Sequence, residues 1–274
     1  MKLIGHTEAL NTINTYLQPI ITRQVFSLSA PEGVGRQVFL RTVFESLTRV
    51  TGSSSDYRVQ TLLGVDDIRE VISWSTDMPV QAKLKMLVVL PCENLTHAAC
   101  NALLKLLEEP PPYLLIFMVG DTFSLPQPIK SRLTPVELKH LLRAQCEEIW
   151  DIQGISHSMF STLWNLAPGI PGLALNRLTL NYPGLYSSWG KFLLNKPTAY
   201  GLLHWQDQIP KEWTTQDQRN FWLWLLPKTF MLLKDPTSIL FKVSQEASEI
   251  ISSQSEVSPR LLIPALWYKY SENN

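Results

Sequence analysis

Apolar residues recur along this chain with more than one period, and the period changes with position. Near the N-terminus Leu10, Ile13 and Leu17 stand at helical spacing and predict a short amphipathic helix. Val25 to Ser29 is a short apolar run that flows into a glycine-bearing turn, and from about Gln37 the helical period returns with Phe39, Val43 and Leu47 on one face. After a small Gly-Ser cluster at 52–55, "YRVQTLL" reads as a strand and "GVDDIREVISWS" as a turn leading into a helix. "LKMLVVL" (84–90) and "LLIFMV" (114–119) are unbroken apolar runs of the kind that forms a strand buried on both faces. Between them Thr96 predicts the N-cap of a helix over "HAACNALLKLLEE", with Ala99, Leu103 and Leu106 on its buried face and the prolines 110–112 ending it. Apolar strands alternating with helices predict a parallel sheet with helices on both faces.

After about Glu137 the strand signals stop. Helical patterns broken by "APGIPG" (167–172), "NYPG" (181–184) and "NKP" (195–197) fill the remainder. Boundaries near 138 and 183 then give one α/β domain over 1–138, a small helical domain over 139–183 and a larger all-α domain over 184–274.

Composition narrows the class of function. The charges balance, 24 Lys+Arg against 24 Asp+Glu, so whole-molecule attraction to nucleic acid or to an acidic membrane is not expected. Cys92, Cys100 and Cys146 lack paired C-x-x-C spacing and are too few for a disulfide framework, which predicts a reducing cytoplasm and no bound metal. The N-terminus has no apolar core of a secretion signal, and the greasiest run, "FWLWLLPKTFMLL" (221–233), is short and interrupted by Pro227 and Lys228. Neither secretion nor a membrane span is expected.

The candidate chemistry begins at "LSAPEGVGRQVF" (28–39), which sits between a strand and a helix, where a phosphate-binding loop belongs. Laid on G-x-x-x-x-G-K-[ST], it puts Ala30 at the first glycine, Gly33 inside the loop, Gly35 at the second glycine, Arg36 at the lysine and Gln37 at the hydroxyl. Gln37 is a poor magnesium ligand and Arg36 is bulkier than lysine and shaped differently, so no nucleotide cofactor is expected and the glycines suit a tight strand-to-helix turn. The Walker B carboxylate should close the next buried strand, yet "LVVL" is followed by Pro91, with Glu93 two residues on. Glu93 reads either as a displaced catalytic carboxylate or as a solvated turn residue.

"GVDDIREV", "NALLKLLEEPPP", "IFMVGDTFSLPQPIKSRL" and "APGIPGLAL" occur in the order and approximate spacing found in bacterial DNA polymerase III clamp-loader subunits of the AAA+ class. Over roughly residues 1–180 the chain resembles that family, and within it the delta-prime type that does not hydrolyse ATP; the last ninety or so residues are similar in helical character only. The resemblance implies a RecA-like α/β domain, a helical lid and a helical collar. It also implies partners: gamma/tau-type and delta-type subunits in a hetero-pentamer that opens a sliding clamp and loads it onto primed DNA. The four-cysteine zinc insertion of many delta-prime chains is absent, since only "RVTGSSSD" stands at its place. At the sensor-2 arginine the family pattern meets Gly172, whereas its S-R-C motif survives as Ser131-Arg132-Leu133.

By the resemblance, Arg132 is an arginine finger projected into the ATP site of a neighbouring gamma/tau-type subunit. By the residues alone, an arginine at a turn entering a strand is also a surface charge or half of an ion pair. Lys130 and Lys105 read as lining for DNA or as a solvated helix face, and Trp205, Trp213, Trp222, Trp224 and Trp267 as core packing with a surplus hidden in an oligomer interface. Two other functions fit the same residues: an active clamp-loader-like ATPase with a deviant loop, and a helical scaffold outside replication.

Overall fold

The computed structural model describes residues 3–17, 24–52, 54–61, 63–194, 198–233, 238–253 and 257–272. The chain divides into two compact units, Met1–Asn176 and Arg177–Asn274. The first is built from α1 (Thr7–Leu17), β1 (Val25–Ser29), α2 (Arg36–Thr48), β2 (Tyr57–Gln60), α3 (Val65–Thr76), β3 (Lys85–Val89), α4 (His97–Glu108), β4 (Leu114–Val119), α5 (Gln127–Lys130) and β5 (Thr134–Glu137), followed by α6 (Arg143–Ile152) and α7 (Phe160–Leu166). Helix α8 (Pro171–Thr179) begins in this unit.

The strands form one parallel sheet in the order β2-β3-β4-β1-β5. Strand β4 lies between β1 and β3 and is buried at every residue, which is why its sequence is apolar without alternation. One face of the sheet, with Val25, Leu87, Val89, Ile116 and Met118, packs into a core with Ile68 and Val71 of α3 and Ala99, Leu103 and Leu106 of α4. On the alternate residues Phe26 stacks on Phe117 at 5.2 Å and meets Tyr16 of α1 at 6.2 Å, so the other face is covered too. The Thr96 hydroxyl accepts the Ala99 N–H at 3.2 Å, the cap that its position predicts.

The second unit is helical throughout its assigned elements: α9 (Tyr182–Leu194), α10 (Ala199–Gln206), α11 (Thr215–Leu232), α12 (Ile239–Ser253) and α13 (Pro259–Glu272). The "NYPG" break falls where α8 gives way to α9, with Asn181 in the left-handed region (φ 57°). The "NKP" break lies outside the described residues. Pro227 lies inside α11, which continues through it, buried on either side at Phe221, Trp222, Leu225, Leu226 and Thr229. Of the five tryptophans singled out in the sequence, Trp205, Trp213, Trp222 and Trp267 are buried and Trp224 is half-buried. Trp189 lies 4.6 Å from Trp205, and their indole N–H groups donate to Thr229 Oγ1 and Ser188 Oγ, the partners that buried indoles require.

Candidate functional site

The loop after β1 leaves the C-terminal edge of the sheet and enters α2 through Gly33 (φ 86°) and Gly35 (φ 106°), conformations that favour glycine. Val34 between them is buried, Arg36 is half-buried and Gln37 is exposed. Two of the loop's carbonyls are engaged. The Gly33 carbonyl accepts the Gly172 N–H at 2.9 Å, and the His6 ring meets the Val34 carbonyl at 3.2 Å. His6 has its pKa lowered by burial, a shift that its bond to Val34 only partly offsets.

The approach of α8 to the loop is a backbone-to-backbone contact. A Cβ on Gly172 would stand 2.8 Å from the Gly33 carbonyl oxygen and 3.2 Å from Gly33 Cα; one on Gly33 would stand 2.5 Å from the Leu173 nitrogen. Both glycines are therefore required by contact, and position 172 has no room for any side chain, least of all arginine. Beside the loop, His6, Thr7, Glu137, Lys139, His140 and Gln145 line a cleft of about 110 Å³. That is well below the ~300–1,000 Å³ of typical small-molecule pockets.

At the tip of β3, Pro91 is half-buried and Cys92 fully buried. Glu93 is exposed but not idle: its Oε2 accepts the Asp121 N–H at 3.0 Å and so ties the end of β3 to the end of β4. Gly120 (φ 132°) makes space for it, since a Cβ there would fall 2.0 Å from Glu93 Oε2. Burial first, and the Glu93 charge second, push the Cys92 thiol up to about 12; burial pushes Cys146 up to about 11. Among the described residues no group of three or more His, Cys, Asp and Glu is placed to hold a metal ion, and no helix is long and apolar enough to cross a membrane.

Arg132 lies at the opposite edge of the sheet. It stands two residues before β5, and β5 runs parallel to β1 with Thr134 beside Phe26, so Arg132 is at the N-terminal edge while the loop is at the C-terminal edge. Its Nη2 donates to Glu108 Oε1 at 2.5 Å, and its Nη1 donates to the Pro128 carbonyl and to Ser131 Oγ at 3.3 Å. Lys130 Nζ donates to the Phe123 carbonyl at 3.1 Å, and Lys105 is exposed on α4. Glu108 and the meeting of Gly33 with Gly172 are the features that sequence reasoning missed. Glu108 stands in "NALLKLLEEPPP" with nothing to mark it as a partner, and the two glycines are 139 positions apart.

Residues 44–142 match the family described as DNA polymerase III, delta subunit. Over 94 residues the chain is 35% identical to the DNA polymerase III subunit gamma/tau of Mycobacterium bovis and of Mycobacterium tuberculosis, a stretch of 31% of this chain and 16% of each relative. The chain thus spans well under a fifth of those relatives. In fold it is similar to a DNA polymerase III gamma subunit-related protein of Thermotoga maritima (TM-score 0.60, 20% identity, covering 96% of this chain and 99% of the other). It is also similar to the RuvB Holliday junction branch migration motor of the same organism (TM-score 0.54, 16% identity, 94% and 87% covered). Over residues 44–142 the chain is thus similar to DNA polymerase III subunits, and its fold is similar to those of the two Thermotoga maritima proteins.

Proposed function

We propose that this chain is a non-hydrolysing, delta-prime-type subunit of a bacterial sliding-clamp loader, acting in the cytoplasm as a stator in a hetero-pentamer with gamma/tau-type and delta-type subunits. In this reading residues 1–138 are the AAA+ core, 139–183 the lid and 184–274 the collar, and the sliding clamp and primed DNA are met through the complex. The observation that carries it is the clasp of Gly172 on Gly33. Backbone N–H groups of a phosphate loop must face a ligand, and here α8 lies on the loop while Gln37 and Pro91 stand where the metal's protein ligands would be.

Arg132 is the remaining active part. Its place at the far edge of the sheet keeps it from its own loop and leaves a neighbour's phosphates as its target, where a planar guanidinium stabilises charge on the transferring group. The isolated chain should show no magnesium-dependent ATP hydrolysis. In complexes reconstituted with gamma/tau-type and delta-type subunits, Arg132→Ala should leave assembly intact and reduce clamp- and DNA-stimulated ATP turnover, with Arg132→Lys rescuing poorly. Wild-type turnover in both variants would sink the assignment of Arg132, and hydrolysis by the isolated chain would sink the non-hydrolysing role.

A further inference from the structure

Arg132 is folded back onto its own chain. The Glu108 carboxylate at the last turn of α4, the Pro128 carbonyl and the Ser131 hydroxyl all accept from its guanidinium. The two charged side chains are 31% and 47% exposed, so the pair is closed yet reachable from outside. Helix α4 ends at Glu108 because the prolines just beyond cannot continue it, and this fixes the carboxylate beside the turn that carries Arg132. A carboxylate on a guanidinium offsets the charge that would stabilise a phosphoryl group, and it occupies one edge of the donor fork.

We infer that Glu108 is a latch that holds Arg132 parked until a neighbouring subunit's nucleotide phosphates compete for the guanidinium; this rests on Arg132 acting in trans, as proposed above. A triphosphate carries more charge than one carboxylate and accepts at several oxygens, so it wins the guanidinium once docked at hydrogen-bond distance. At larger separations the latch stays shut. Glu108 is a positioning residue in this scheme, and hydrolysis by the neighbour is thereby tied to correct seating of the two subunits.

Glu108→Gln keeps the shape and one acceptor while removing the charge. In the full-length isolated chain, the rate of phenylglyoxal modification at Arg132, read by peptide mass mapping, should rise about two- to fivefold, the range for a partly exposed ion pair, with Arg69 as the internal control. An unchanged rate overturns the latch. In the reconstituted complex the same variant should raise clamp- and DNA-independent ATP turnover by about the same factor, and the rise should vanish when Arg132→Ala is added. No rise, or a fall, while Arg132→Ala alone lowers stimulated turnover overturns the latch and leaves the trans-acting arginine standing. Wild-type stimulated turnover with Arg132→Ala alone overturns both.

Discussion

Asp56 is fully buried, and its environment decides its charge. Burial pushes its pKa up, but N–H groups of Val80, Gln81 and Ala82 donate to the carboxylate at 2.7–3.1 Å and Lys85 adds a nearby positive charge, so the net shift is downward. Asp56→Asn should cost about 2–4 kcal/mol, because it leaves those N–H groups poorly matched. A lowered carboxyl stabilises the fold fully above its unfolded value of about 3.9 and loses that contribution as pH falls through the folded value. The gap between wild type and Asp56→Asn in urea unfolding should therefore be flat at neutral pH and shrink below about pH 4. Glycines give a second residue-scale contrast. Gly172→Ala drives a Cβ against the Gly33 backbone and should cost about 1–3 kcal/mol. Gly190→Ala, inside α9 with nothing within 4 Å of the added carbon, should instead stabilise by about 0.5–1 kcal/mol. None of this was legible in the sequence: Asp56 stands in an ordinary Ser-rich turn, and its partners are more than twenty residues away.

Among elements, the parallel strands were the most legible, because β3 and β4 are buried on both faces and need unbroken apolar runs to be so. Helix α4 was legible for a local reason too, a threonine cap at one end and prolines at the other. Thr96→Ala should remove about 1 kcal/mol of stability, and Thr96→Ser or Thr96→Asp should restore most of it, as read by thermal melts of the whole chain. Helix α11 runs through Pro227, against the local preference of proline, because tertiary burial of its neighbours keeps the element continuous. Glu93 is a solvated turn residue that also ties β3 to β4, a link the sequence does not show. Its role depends on β4 arriving alongside β3, and register between strands is not written in either strand alone.

Each unit is compact by itself, and their reporters differ. Trp189, Trp205, Trp213, Trp222, Trp224 and Trp267 belong to the second unit, against Trp74, Trp150 and Trp164 in the first. Tryptophan fluorescence should therefore follow mainly the helical unit in a urea titration, while Asp56→Asn moves the transition of the sheet-bearing unit. Coincident transitions shifted equally by that variant would show instead that the units unfold as one. At this scale the sequence offered function only through a resemblance, from whose pattern Ala30, Arg36, Gln37, Pro91 and Gly172 depart together. The closure of the loop by α8 also bears on the history of such a chain. On the reading proposed above, changing single residues toward the family pattern does not lead to a nucleotide-binding enzyme, because an arginine at 172 collides with the Gly33 backbone before any phosphate is there to repay it. The loop would first have to part from the helix, so in the reading proposed above a ligand site once lost behaves as a ratchet.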